Sequence, residues 1–165
     1  MLTIRALTAQ DDLAAAAQVC VDSWQHAYRG IVPQRYLDKL SPQSWISVLK
    51  AYPAGSLIAL LDRKIVGTCY VTFARDDARP DYGEIVSLYL LPGAMGKGIG
   101  RQLWQAAAEY CREQGLSGIC LWTLTANTRA CRFYERMGMM PSGRTRTEAI
   151  GGEMLPLTEY IFPLA

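Results

Sequence analysis

Residues 84 to 124 join two apolar runs, EIVSLYLL and ICLWTLT, through a glycine-rich stretch and an amphipathic helix. No other feature of the chain constrains its fold as much. EIVSLYLL is almost continuously apolar, as a strand covered on both faces is. Beyond it Ile99, Leu103, Ala107 and Cys111 recur every four positions, with Arg101, Gln105, Glu109 and Arg112 elsewhere around the helix. Gly115 ends that helix in the manner of a C-cap glycine. A strand, a helix and a second strand in this order demand a parallel crossover.

The rest of the chain asks for antiparallel neighbours. LTIRAL alternates as a first strand, and Thr8 to Asp11 has the spacing of a capping box ahead of an alanine-rich helix reaching about His26. Pro33 and Ser41-Pro42 each open a short helix. Past Pro53 and Gly55, SLIALL and IVGTCYVTFA are two β-rich runs a hairpin turn apart, at Asp62, Arg63 and Lys64. Residues 75–83 form a polar loop. Asn127 caps a further helix with Ala130, Phe133 or Tyr134, and Met137 inside, and Gly138 stops it. From Arg144 to Phe162 the tail reads as two strands joined near Gly151 and Gly152. The order predicts one α/β (α+β) domain over residues 1–165, with a mixed sheet.

Composition excludes several function classes. Half the residues are apolar and 19% are charged, as in an ordinary globular protein, and a net charge of +2 without a Lys/Arg run argues against a nucleic-acid face. The longest apolar windows fall far short of the roughly 20 residues a membrane span needs, and the start lacks a secretory pattern, so a cytoplasmic protein without a membrane partner is expected. Five cysteines without a C-x-x-C pair, beside the single His26, predict reduced buried thiols and no metal site.

The glycine stretch PGAMGKGIG (92–100) follows a strand and opens a helix, so unpaired N–H groups and the positive end of the helix dipole face one point. Gly93, Gly96, Gly98 and Gly100 each cost roughly 0.5–1 kcal/mol against alanine in a regular element, so a requirement other than packing is expected. Glycine lets a backbone approach an anion, and Lys97 adds a positive charge. A P-loop, G-x-x-x-x-G-K-S/T, fails because Ile99 follows Gly98. A dinucleotide fingerprint fails because the spacing is G-x-G-x-G after the fourth strand and not the first.

The stretch resembles the coenzyme A pyrophosphate loop of the GNAT-type N-acetyltransferase superfamily, Q/R-x-x-G-x-G/A, with Met95 in place of the first residue. TANTRACRFYERMGM resembles the strand-helix unit that follows in that superfamily, matching at Asn127, Ala130, Phe133, Tyr134, Glu135 and Gly138 and departing at Met139. The resemblance implies a mostly antiparallel sheet of about seven strands flanked by about four helices, with a parallel pair at the cofactor site. It implies acetyl transfer from acetyl-CoA to a primary amine, on a small molecule or a peptide, by direct transfer in a ternary complex. A non-catalytic acyl-CoA-binding module is the alternative.

By the same resemblance, Tyr134 is the general acid beside the coenzyme sulfur. Glu84 resembles in position a general base, and is otherwise a strand-edge carboxylate in water. The coenzyme site comprises Met95, Gly96, Lys97, Gly98, Ile99, Gly100, Arg101 and Asn127, with Leu88, Tyr89 and Leu90 offering main-chain groups from a splayed strand. Arg132 is a further candidate for phosphate. Trp24 and Tyr28, four apart on one helix face, are candidates to line the acceptor pocket or to pack in the core. The acceptor's identity and the oligomeric state, a homodimer included, are left open.

Overall fold

The computed structural model describes residues 1–51 and 55–164; Pro53, where the sequence texture changes, lies outside them. In chain order the elements are strand β1 (Leu2–Ala6), helices α1 (Leu13–Ala27), α2 (Gln34–Asp38) and α3 (Gln43–Ala51), and strands β2 (Ser56–Leu61), β3 (Lys64–Phe73) and β4 (Tyr82–Leu90). Then come a 3-10 turn (Pro92–Ala94), α4 (Ile99–Glu113), β5 (Gly118–Leu124), α5 (Thr128–Arg136), β6 (Met140–Ile150) and β7 (Glu153–Pro163). Five α-helices stand among the described residues where about four helices were expected.

Local chemistry explains most boundaries. The β2–β3 loop is two residues, Asp62 and Arg63, at φ 49° and 69°, the left-handed pair that a tight hairpin needs. Asn127 caps α5 by accepting from the Ala130 N–H at 3.3 Å. The expected cap at Thr8 is corrected: Asp12 caps α1, accepting from the Ala15 N–H at 3.0 Å. Asp11 does accept from the Thr8 N–H, as a capping box requires, but Arg5 clamps the same carboxylate through both terminal nitrogens at 2.7 and 2.8 Å. The turn is thereby anchored to β1, and the helix begins beyond it at Leu13, after the Asp12 cap.

The sheet order is β1-β2-β3-β4-β5-β7-β6, and only β4 and β5 are parallel neighbours. Both faces are covered. Leu57 and Ala59 lie on the face of α4 and α5, while Ile58 between them packs with Ala16, Ala17 and Leu49 of α1 and α3. Thus β2 is apolar throughout, because its alternation serves two cores.

Two irregularities shape β4. Its pairing with β3 shifts after Ile85, so that Val86 is a bulge with no partner of its own. The extra residue changes the alternation, and Ile85, Leu88 and Leu90 all reach the α4 face. On the other side β4 pairs with β5 only through Tyr82, Gly83 and Glu84; beyond Cys120 the two strands part.

Glu159 is fully buried on β7, opposite Trp122. Burial penalises its charge, but hydrogen bonds from Arg79 (2.8 Å) and Ser142 (2.6 Å), with Arg144 at 3.2 Å, outweigh that and hold its carboxyl below the usual range. Arg144 also reaches Asp76 at 2.6 Å, tying the 75–81 loop to β6. Glu159→Ala, which leaves the Arg79 guanidinium uncompensated and Arg144 with Asp76 alone, is expected to lower stability by about 3 kcal/mol in urea titrations at pH 7. Because the carboxyl is lowered in the fold, its stabilisation is present above the ordinary carboxyl range and fades as pH falls through the lowered value, so wild type and variant should converge in acid.

Candidate active site

Where β4 and β5 separate, a cleft of about 660 Å³ passes through the sheet. Ser23 and Ala27 of α1, with Tyr28 just past its end, line one end, and Gly96, Gly98, Phe133 and Tyr134 the other. The Leu91 N–H donates to Val66 on β3 at 2.9 Å. Strand groups alternate in direction, so Tyr89 also turns its backbone toward β3, while the N–H and C=O of Leu88 and Leu90 face the gap. Those main-chain groups have lost the neighbour they would bond in a regular sheet.

At the mouth of the cleft the glycines divide by role. Gly96 and Gly98 have φ of +75° and +79°, and Gly98 is the N-cap of α4. Neither would bring a Cβ within 4 Å of another atom, so it is the left-handed backbone, and the open space above it, that calls for glycine. A Cβ on Gly100 would meet the Phe133 ring at 3.2 Å and Leu90 at 3.4 Å; this glycine permits close packing of α4 on α5 and β4. Gly93 has neither constraint, and nothing in the structure requires glycine there. The first N–H groups of α4 and its dipole face this mouth, beside Arg101, Arg129 and Arg136. The last two were missed from the sequence, although they lie four residues before and three after Phe133, on one face of α5. Lys97 is exposed and does not line the cleft, nor does Arg132.

Tyr134 is the buried aromatic of α5, at 9% exposure, with ring centroids 5.2 Å from Phe133 and 6.3 Å from Tyr160. Its hydroxyl has no hydrogen-bond partner among the described residues, and burial pushes the phenol far above its ordinary 10. The neighbouring Glu135 has a structural partner instead, accepting from the Tyr160 hydroxyl at 2.9 Å. Asn127 lines the cleft while capping α5, and Met95 lines it too. None of the cleft-lining residues is a cysteine.

Glu84 sits where the parallel strands part. It is not a strand-edge carboxylate in water: its exposure is 4%, and Arg75 holds it. Oε1 accepts from the Arg75 N–H and Nε, both at 3.1 Å, and Oε2 from Nη2 at 2.7 Å. A carboxylate offers about four acceptor positions, so one on Oε2 is left for another donor. A second pocket of about 460 Å³ opens there, and Trp122 lines both it and the cleft. Tyr28 reaches the cleft; Trp24 stands behind it, edge-on to Tyr28 at 4.7 Å and to Trp45 at 5.9 Å, and is not among the lining residues.

A parted parallel pair with a glycine helix entrance at its mouth is the architecture of an acetyltransferase fold. Residues 18–139 match the Acetyltransferase (GNAT) family, and the chain belongs to that family. An uncharacterized N-acetyltransferase of Archaeoglobus fulgidus is 33% identical over 128 residues, 76% of this chain and 84% of that protein. The mycothiol acetyltransferase of Streptomyces avermitilis is 30% identical over 138 residues, 83% of this chain and 42% of the relative, so the chain spans about two fifths of that protein's length. The fold is also that of the PaiA N-acetyltransferase of Thermoplasma acidophilum, solved in complex with coenzyme A, at a TM-score of 0.73 and 21% identity over 96% of this chain and 98% of that one.

The division among the glycines is testable by thermal denaturation. Gly93→Ala should leave the midpoint unchanged or raise it slightly, whereas Gly98→Ala should cost about 1–2 kcal/mol, the penalty for a left-handed residue with a Cβ.

Proposed function

We propose that the protein is an acetyl-CoA-dependent N-acetyltransferase that acetylates a primary amine by direct transfer within a ternary complex. The observation that carries this reading is the unpartnered Tyr134 hydroxyl, in a cleft bounded by the glycine helix entrance and the free main-chain groups of β4. The cradle suits a pyrophosphate, because positive-φ glycines with open space above them stand at a helix N-terminus flanked by Arg101, Arg129 and Arg136. Acetyl-CoA as cosubstrate supplies the acetyl group as a thioester.

The chain's own groups meet the remaining needs. A side-chain-like amine near pKa 10.4 is mostly protonated at pH 7 and must lose a proton before it attacks. Glu84 takes that proton, directly or through a water, at the one acceptor position that Arg75 leaves open. The main-chain N–H groups of β4 that face the gap stabilise the oxygen charge that develops as the C–N bond forms; each such donor is worth about 2.7–4 kcal/mol. As the C–S bond breaks, Tyr134 donates its proton to the departing thiolate. Burial penalises phenolate and thiolate alike, so a raised phenol still matches a raised thiol. Direct transfer is supported by the lack of a cysteine along the cleft.

Tyr134→Phe is expected to lower kcat by about 10²-fold or more, with the coenzyme A Kd from calorimetry unchanged. A protein that binds coenzyme A but turns over none of a broad amine panel would be a binding module and would overturn the proposal. Since burial keeps the Tyr134 phenol protonated and the amine reaches Glu84 as the ammonium, kcat/KM should be level from about pH 7 to about pH 10 and fall only above that, as the free amine deprotonates. Met95→Gln should hold or tighten coenzyme binding, as restoring the family's residue beside the cradle predicts.

A further inference from the structure

The second pocket is lined mostly by charged side chains. It lies at the sheet's parting, with Glu84 at its edge and Trp122 as the wall it shares with the cleft. Three guanidiniums line it, those of Arg75, Arg144 and Arg146, against the carboxylates of Asp76 and Glu84. Two of the three are engaged: Arg75 is held by Glu84, and Arg144 by Asp76 and Glu159. Arg146 has no hydrogen bond or ion pair among the described residues.

Arg146 is nevertheless positioned. Its guanidinium lies over the Trp122 ring at 4.5 Å from the centroid, and that of Arg144 lies at 5.5 Å. An aromatic face orients a guanidinium while leaving its N–H edges free. Those edges suit a planar or tetrahedral oxyanion, which arginine binds through two parallel hydrogen bonds. Glu148, next on the same face of β6, makes no ion pair among the described residues, and its charge is felt at Tyr28 and Arg75. Since Tyr28 lines the cleft, the negative charge of Glu148 lies toward the α1 end of the cleft.

The geometry points to an acceptor that is an amine carrying its own anionic group, a carboxylate or phosphonate, with the anion on Arg146 over Trp122 and the nitrogen directed past Glu84 into the cleft. This inference rests on the acetyltransferase reading, and it narrows the acceptor from any primary amine to a zwitterionic one.

Matched pairs of amines differing only in the anion test it: α-amino acids against their amides, 4-aminobutyrate against butylamine, and 2-aminoethylphosphonate against ethanolamine. With acetyl-CoA saturating, the anionic member of at least one pair should show kcat/KM about tenfold or more above its partner, as a charge-assisted hydrogen bond provides. Arg146→Ala should bring that ratio toward one, chiefly through KM, and Arg146→Lys should restore part of it. Arg112→Ala, which removes a distant surface charge on α4, should keep the ratio. Carboxylate and phosphonate pairs distinguish the two anions. Binding of the same amines to the coenzyme-A-loaded protein, followed by calorimetry, reads the preference without turnover. A protein that binds anionic amines through Arg146 but acetylates none would sustain this inference and overturn the enzymatic one. Preference for the neutral members, or a ratio unmoved in Arg146→Ala, would overturn it.

Discussion

Everything in the site depends on two strands failing to stay paired. β4 and β5 run parallel for three residue pairs and then part after Glu84 and Cys120. Buried main-chain N–H and C=O groups left without partners are costly, and proteins rarely keep them without a use. Here the unpaired edge of β4 lines a cleft through the sheet, so the groups deprived of a strand are available to an extended ligand. The cost is carried by the rest of the sheet, in which β3 and β7 pair with β4 and β5 along their outer edges.

Around that gap the charges are arranged in linked pairs. Arg75 on the polar loop reaches back to Glu84, Arg79 in the same loop reaches Glu159, and Arg144 on β6 ties Asp76 to Glu159. Buried ion pairs are a doubtful source of net stability, since desolvation offsets much of their attraction. Their effect here is geometric: a loop with little apolar content is fastened to the sheet beside the second pocket. Trp122, between these charges and the cleft, separates two chambers with one side chain.

The sequence was most legible where backbone chemistry is local. The hairpin at Asp62 and Arg63, the Asn127 cap, the glycine stops and the parallel crossover follow from short-range rules, and the structure has them where the residues predict. The start of α1 was misread because Arg5, which captures Asp11, is remote from any capping pattern. The candidate site was legible through its motifs: Tyr134, Met95, Gly96, Gly98 and Gly100 line the cleft, whereas Lys97 is exposed beside it and Ile99 is packed in the core. It was not legible where a role depends on what lies across a gap. Gly100 is indistinguishable in sequence from Gly98, yet one is fixed by Phe133 packing and the other by its own φ. Glu84 could be read as exposed because Arg75, nine residues earlier, gives no periodic sign of folding back onto it.

The bulge at Val86 has a consequence for how this strand can vary. It lets one strand obey two parities: Ile85 and Leu88 face the same core although an odd number of steps separates them. Loss of Val86 would restore a regular ladder and leave Ile85 and Leu88, then two steps apart, still facing α4. Loss of Tyr89, between Leu88 and Leu90, would instead turn one of those two leucines away from α4. The strand can therefore change length at its bulge, and beyond the bulge only its side chains can vary.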